Sequence, residues 1–413
     1  MGIPDRTFAK LNLMDNKGIL QPGCAHMQKR FFHLDSRWEF YDMKQHLTIM
    51  LTLLINLGFA QNKQAGETIR DKSCSAAIKK AEKFIDSLRE KNKLPGISVC
   101  VGNKEKILWA EAFGFADLEN NTPLSIYSKF RLGSVSKLLT SLAVGKLCQE
   151  GKLDLDAPVQ QYVPDFPVKK YPVTSRQLAG HISGIRHYRK DDPLTIPKEY
   201  KSVWEGLSIF KDDTLLFKPG TNYEYSTYGY SLLSAVIEGA AHMPFLSYMQ
   251  DSIFVPFGMT HTTADINDSI IPNRVRFYEQ AGNKLVNAPL VNNSYKWAGG
   301  GFLSTPYDLV KMTMGLLNQK VLQQKALQLL FTAQHLENGK NTNVGIAWRI
   351  NTTKTGLTFI HHGGAIQGGR TFVLFYPESG YTFAITANIM EAPLNVNEAM
   401  AVLGFFLHSV DTK

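Results

Sequence analysis

The sequence is poor in the residues that build metal centres and disulfide frameworks. Only four of its 413 residues are cysteine, and the three that follow residue 60, Cys74, Cys100 and Cys148, have neither paired nor metal-ligand spacing. We therefore expect no disulfide scaffold, no zinc site and no cofactor. These cysteines are interpreted as small residues of the core.

The sequence also lacks a long run of charge of one sign, internal repeats and low-complexity segments. Lys and Arg exceed Asp and Glu by 45 − 36 = 9, but the basic residues are scattered along the chain. Nucleic-acid binding usually needs a concentrated basic patch, so we expect no nucleic-acid partner. The 44% hydrophobic and 20% charged residues are typical of a folded soluble protein, and the length favours a large domain or two packed lobes.

No apolar run is long enough to cross a bilayer as a helix, which needs about 20 residues. Leu47–Phe59 has 13 apolar-rich residues, follows a lysine and ends at Ala60 before polar residues, as in a secretory signal peptide. We predict a signal at 43–60, a translation start at Met43, and an upstream extension or misassigned start at 1–42. An uncleaved anchor is the alternative. The pattern predicts export to a bacterial periplasm or beyond, with membrane contact only through the signal.

After a predicted linker at 61–75, residues 76–413 are expected to form one domain. Both of its ends have helical and strand-like periodicity, whereas residues 132–334 are mostly helical. The predicted helices are 76–91 and 396–409, and the predicted strands are 97–101, 107–115, 357–361, 371–376 and 381–388. This favours an α/β (α+β) two-lobe fold: an antiparallel sheet built from both chain ends and flanked by helices, with an inserted helical lobe. The site should lie between the lobes.

The segment Phe130–Lys137 places a serine and a lysine three residues apart at the start of a predicted helix. Residues three apart share a helix face, so the Lys137 amine can reach the Ser134 hydroxyl and take its proton. The helix N-terminus offers N–H donors for the oxyanion that attack creates. A capping serine beside a solvated lysine is the alternative, and Ser208–Lys211 has the same spacing without further support.

A second segment, Tyr225-Ser226-Thr227, precedes another predicted helix. A phenol beside an ammonium ionises more easily, so Tyr225 can pass a proton to the leaving group. The alternative is simple packing, because tyrosines crowd this stretch.

A third segment, His361-His362-Gly363-Gly364, ends a predicted strand. Its glycines let a backbone N–H approach a ligand closely, which suits a second oxyanion donor. Adjacent strand residues point to opposite faces, so only one histidine can face the cleft and the two cannot share a metal ion. A bend with one packed and one exposed histidine is the alternative.

In order and in residue type, these three segments resemble the motifs of class C β-lactamases, D-alanyl-D-alanine carboxypeptidases and related esterases, whose fold is of the β-lactamase/transpeptidase type. Residues 153–159, 180–185 and 297–305 resemble the family further, and 159–167, 183–188 and 225–235 resemble its mitochondrial serine β-lactamase-like branch. The resemblance implies acylation of Ser134 and proton transfer through Lys137 and Tyr225. It also implies an oxyanion hole from the N–H groups of Ser134 and Gly364. Substrate contacts are implied for Thr227, His361, His362 and Gly363, with His361 flanking the substrate.

Two departures weaken the antibiotic interpretation. Thr227 replaces the usual asparagine, and His361 replaces a lysine whose permanent charge holds a substrate carboxylate. A histidine of ordinary pKa, about 6.5, is mostly neutral at neutral pH. We predict a metal-independent serine hydrolase that cleaves a peptide, amide or ester through an acyl-enzyme, with a small-molecule or peptide substrate. The alternative is a catalytically weak penicillin-recognising binding protein or a filament-forming structural protein, and a homo-oligomer is left open.

Overall fold

The computed structural model describes residues 67–190, 192 and 198–407. The predicted upstream extension and signal segment lie outside these described residues. Helices α1–α11 span Ser75–Lys91, Ser136–Gln149, Ser175–Ala179, Val203–Leu207, Thr227–Ala241, Phe245–Tyr248, Val255–Phe257, Trp297–Gly300, Pro306–Leu317, Gln324–Phe331 and Val396–Leu407. Strands β1–β13 span Ile69–Arg70, Gly96–Gly102, Ile107–Asp117, Thr122–Pro123, Phe130–Arg131, Thr263–Ala264, Tyr278–Ala281, Lys284–Asn287, Phe302–Ser304, Arg349–Thr352, Thr358–Ile366, Gly369–Phe375 and Thr382–Ala387.

The main sheet joins the two ends of the described chain. Its strand order is β1-β3-β2-β13-β12-β11-β10, with β4 paired to β3, and the named pairings are antiparallel. The central junction pairs Ile97 of β2 with Ala387 of β13. The predicted sheet from both chain ends is therefore confirmed. It begins at β1, within the segment expected to be a linker, and it gains β10 as an edge strand that was not predicted.

Both faces of this sheet are covered, which explains why β2 is buried throughout. Alternate residues of β2 enter two different cores: Val99 and Val101 pack with α1 and α11, and Cys100 packs toward the inserted lobe. Helix α1 buries Ala77, Ala81 and other apolar residues at helical intervals and leaves its charged face to solvent.

The inserted lobe is built around α2, which buries 11 of its 14 residues. A helix that is buried on all sides is surrounded by other elements, and α2 packs against α5, α8 and α10. The lobe also holds a short sheet of order β5-β9-β6 and the β7-β8 hairpin, so it is mostly but not wholly helical. Within the described residues, no helix has the length and apolarity needed to cross a bilayer.

Candidate active site

Ser134 lies in the 3₁₀ turn Gly133–Val135 that leads directly into α2. Gly133 has a φ of 51°, a conformation that glycine adopts without steric cost. A Cβ on Gly133 would also come within 2.8 Å of the backbone nitrogen and oxygen of Ala365. The turn therefore holds Ser134 against β11, and its N–H groups belong to a helix N-terminus where they have no intrahelical partner.

Lys137 is fully buried one turn after Ser134. Its Nζ lies 3.3 Å from Ser134 Oγ, and it donates to Thr227 Oγ1 at 3.2 Å and to the Gly299 carbonyl oxygen at 2.7 Å. Burial lowers the pKa of Lys137 well below its ordinary value. A neutral amine has two N–H donors and one lone pair. The donors match Thr227 and Gly299, which leaves the lone pair for the Ser134 proton.

Tyr225 reaches the same hydroxyl from the opposite side, donating from its own hydroxyl to Ser134 Oγ at 2.7 Å. Its ring lies 4.9 Å from Lys137 Nζ. Burial raises the pKa of Tyr225 to about 12, although the hydrogen bond to Ser134 opposes the shift. We expected an adjacent ammonium to lower the pKa of Tyr225. The pKa is raised instead, because desolvation outweighs any such effect and the buried lysine favours its neutral form. In this state the phenol is a proton donor.

Two histidines that the sequence analysis did not select hold the Tyr225 segment. His181 Nδ1 accepts from Ser226 N and His187 Nδ1 accepts from Thr227 N, each at 3.2 Å. The rings of His181 and Tyr225 are 4.3 Å apart. Burial lowers the pKa of both histidines, that of His187 to about 4, so each is a neutral acceptor. The only sequence signal for these two histidines was their position within residues 180–188, which resemble the family.

The two histidines of β11 face opposite sides of the sheet. His361 packs between Phe359 and Phe372, with ring centroids 5.3 and 5.6 Å away, and its Nε2 lies 2.9 Å from Asn351 Oδ1. His362 is buried and its ring lies 6.5 Å from that of Tyr225. The histidine that approaches Tyr225 is thus His362, whereas we expected His361 to flank the substrate. Burial lowers the pKa of His362 to about 3, so it is neutral at physiological pH.

The strand register determines which amide of β11 faces the turn that holds Ser134. Thr353 N donates to Leu357 O at 2.9 Å where β10 meets β11. Hydrogen-bonded pairs alternate along an antiparallel ladder, so Gly364, paired with Thr371, directs its N–H toward β12. The N–H of Ala365 points to the other side, where the Gly133–Val135 turn replaces β10. Gly364 instead permits close approach, because a Cβ there would collide with the Leu132 carbonyl oxygen.

A cleft of about 220 Å³ opens at this junction and contains Ser134, Tyr225 and Thr227. Its other lining residues are Gly133, His187, Tyr188, Lys296, Gly299, Gly300, Ala365, Ile366, Gln367 and Met390. None of the predicted residues His361, His362, Gly363 and Gly364 lines it. A larger hollow of about 660 Å³ lies near Arg176 and Lys325 and contains none of the motif residues. The candidate site is therefore identified by the side chains that line the smaller cleft and not by the volume of the hollow.

The comparisons with known proteins agree with this geometry. The human serine beta-lactamase-like protein LACTB, mitochondrial, is 36% identical over 310 residues, covering 58% of this chain and 56% of the relative. This chain thus spans about half the length of that relative. An octameric penicillin-binding protein homologue from Pyrococcus abyssi superposes with a TM-score of 0.69 at 24% identity, covering 80% of this chain and 77% of its own.

A class C beta-lactamase structure superposes with a TM-score of 0.68 at 18% identity, covering 82% of this chain and 98% of its own. These two structural likenesses establish the fold. The Beta-lactamase family model matches residues 81–404, which include the nucleophile turn, the tyrosine segment and β11. The chain belongs to the Beta-lactamase family.

Proposed function

We propose that this chain is a serine hydrolase that cleaves a peptide, amide or ester through an acyl-enzyme on Ser134. The observation that carries the proposal is the convergence of two groups of opposite character on Ser134 Oγ. A buried amine that favours its neutral form lies 3.3 Å away, and a phenol that keeps its proton lies 2.7 Å away. A base and a donor on one hydroxyl are what nucleophilic catalysis requires.

In the acylation step, Ser134 Oγ attacks the substrate carbonyl carbon and its proton passes to the amine of Lys137. The carbonyl oxygen becomes an oxyanion, and we assign its stabilisation to the N–H groups of Ser134 and Ala365, the latter in place of Gly364. The resulting Lys137 ammonium returns the proton through the Tyr225 hydroxyl to the leaving oxygen or nitrogen. The bond to the leaving group breaks and an ester on Ser134 remains.

Deacylation reverses this proton path. Water attacks the ester carbonyl carbon and gives its proton to the same two groups, which then protonate Ser134 Oγ as it leaves. No metal or cofactor enters either step.

The neutral histidine on β11 bears on substrate choice. His362 approaches Tyr225, and burial leaves it without the positive charge that an exposed lysine carries. Strand β11 therefore offers no permanent cation to a substrate carboxylate. Thr227 serves Lys137 as a hydrogen-bond acceptor.

We also propose that the protein is exported through the segment 43–60. The support is the sequence pattern alone, a short apolar run ending at Ala60. The N-terminus of the protein recovered from cells, read by mass spectrometry, tests this proposal: cleavage after Ala60 supports it, and a retained Leu47–Phe59 run contradicts it.

The test of the catalytic assignment is labelling by a serine-directed fluorophosphonate. We expect the wild type to be labelled and Ser134→Ala to lose labelling almost completely, because no other group replaces the nucleophile. Ser208→Ala is the matched control, since Ser208 begins the second Ser-x-x-Lys spacing, and it should label like the wild type. Equal labelling of Ser134→Ala and the wild type would contradict the assignment.

The alternative is a penicillin-recognising binding or filament-forming protein with weak chemistry. An adduct on Ser134 that mass spectrometry shows never to clear would favour it.

A further inference from the structure

Lys296 is a buried cation of the cleft wall that the proposed chemistry does not use. It ends the 3₁₀ turn Ser294–Lys296 before α8, is 5% exposed, and lines the same cleft as Ser134. Its Nζ lies over the rings of Tyr295 and Tyr188, at 5.1 and 5.6 Å from their centroids. Among the described residues, no carboxylate lies within ion-pair distance of it. A buried charge without a counterion is costly, so such a residue is usually kept for a ligand.

The nearest acidic neighbour is already committed elsewhere. Asp265 Oδ2 accepts from Arg131 Nε at 2.7 Å and from Asn293 Nδ2 at 3.0 Å, and Arg274 lies 3.4 Å from Oδ1. These partners hold Asp265 behind the cleft. In the part of the chain that the structure describes, Lys296 is therefore left without a carboxylate counterion.

The lysine lies beside the turn that carries the nucleophile. A Cβ built on Gly300 would be 3.8 Å from Lys296 Cδ and 3.8 Å from the Gly133 carbonyl carbon. Lys296 and the turn that carries Ser134 therefore both border the space over Gly300. A substrate held at Ser134 in a cleft of about 220 Å³ brings its neighbouring groups close to Lys296.

We propose that Lys296 is a specificity residue that binds a carboxylate carried by the substrate close to its scissile acyl group. The inference rests on the proposed function and adds the substrate class to it. It assigns to Lys296 the positive charge that β11 lacks. A carboxylate supplies the counterion that Lys296 lacks, and a desolvated charge pair of this kind discriminates strongly against a neutral analogue.

The arrangement also predicts a pH dependence. Burial, followed by the repulsion of Arg131, and of Lys137 when it carries a proton, lowers the pKa of Lys296 to about 7, and Asp265 partly opposes the shift. The other titratable groups that face it are His187, Tyr188 and Tyr295. Lys296 is cationic below that pKa and neutral above it. Preference for a carboxylate substrate should therefore decline as the pH rises through about 7.

Matched substrate pairs test the proposal. One pair, 3-acetoxybenzoate and 3-acetoxybenzamide, differs in charge on the leaving group; the other, mono-4-nitrophenyl glutarate and 4-nitrophenyl valerate, differs in charge on the acyl group. In Lys296→Met we expect kcat/KM for a charged member to fall by about tenfold or more, mainly through KM, and for neutral members to change by less than about threefold. Which pair responds shows on which side of the scissile bond the carboxylate lies. Lys284→Met, on the exposed β8 strand, is the control.

A binding measurement separates failure of this inference from failure of the proposed function. Calorimetric titration of glutarate into wild type and Lys296→Met needs no turnover, and we expect affinity to be lost only in the variant. Equal losses for charged and neutral esters, or equal glutarate binding by both proteins, would overturn the role of Lys296. If the Ser134→Ala variant still hydrolysed every ester, that result would instead overturn the proposed function.

Discussion

The chain contains two serine–lysine pairs with identical spacing in very different settings. Ser134 and Lys137 lie at the N-terminal start of α2, where the lysine is fully buried and touches Ser134, Thr227 and Gly299. Ser208 is the C-terminal cap of α4, and Lys211 lies in the turn that follows it. There Ser208 Oγ donates to the Glu205 carbonyl oxygen at 2.6 Å, and Lys211 pairs with Asp212 on the surface.

The difference shows that the Ser-x-x-Lys spacing alone does not determine the surroundings of the pair. Three further conditions separate the pairs: the polarity of the helix end, the burial that lowers the pKa of the lysine, and a third group on the serine. The N-terminus of α2 favours a developing negative charge, whereas the C-terminus of α4 disfavours it. Lys211 keeps 28% of its side chain exposed and lies 3.2 Å from an Asp212 carboxylate oxygen. Only the first pair satisfies all three conditions.

The largest effect is expected from removing each lysine in turn. Lys137→Met removes the base that accepts the Ser134 proton, so we expect kcat/KM on a nitrophenyl ester to fall by about 100- to 10,000-fold. Lys211→Met should leave it unchanged. Methionine fills the buried space with a similar chain, so thermal melting should show both variants folded. A folded Lys137→Met variant with wild-type kinetics would show that the two pairs are equivalent and that the base lies elsewhere.

The next largest effect is expected from Tyr225, the third group on Ser134, which has no counterpart at the Ser208–Lys211 pair. Tyr225→Phe removes the donor that lies 2.7 Å from Ser134 Oγ, and we expect kcat to fall by about 100-fold while KM changes little. Tyr223→Phe is the control, because Tyr223 packs against His181 without a hydrogen bond to Ser134. Steady-state kinetics on one ester measures both. Equal losses in the two variants would point to packing of the tyrosine segment instead of proton transfer.

Sequence reasoning predicted the sheet well because its pattern is local. Strands of alternating or continuous apolar residues, such as Gly96–Gly102 and Thr382–Ala387, are bounded by turns that the sequence displays. The short strands β1 and β10 were missed because two to four residues carry too little periodicity to be recognised.

The site was predictable in its three motifs but not in its orientation. Strand alternation predicts that only one of His361 and His362 lies toward Tyr225, yet choosing between them required the register against Arg349 and Phe372. The same register indicates that the backbone N–H of β11 that faces the Ser134 turn belongs to Ala365 and not to Gly364. The contribution of Lys296 depends on long-range packing beside Gly300 and on the commitment of Asp265 to other partners. No local pattern encodes either relation.

The smallest effect is expected from Thr227, which accepts a hydrogen bond from the buried lysine of the first pair. Thr227→Val keeps the backbone N–H that His187 accepts but removes the oxygen that accepts from Lys137 at 3.2 Å. One neutral hydrogen bond contributes about 1 kcal/mol, so we expect a roughly fivefold loss in kcat/KM. That acceptor stabilises the ammonium more than the amine, so its loss lowers the pKa of Lys137 further. The neutral base then persists to lower pH, and the acidic limb of the kcat/KM profile should shift to lower pH. A loss beyond about 100-fold would place Thr227 in the chemical step itself, and an acidic limb that stays in place or shifts to higher pH would contradict the assignment of Lys137 as the neutral base.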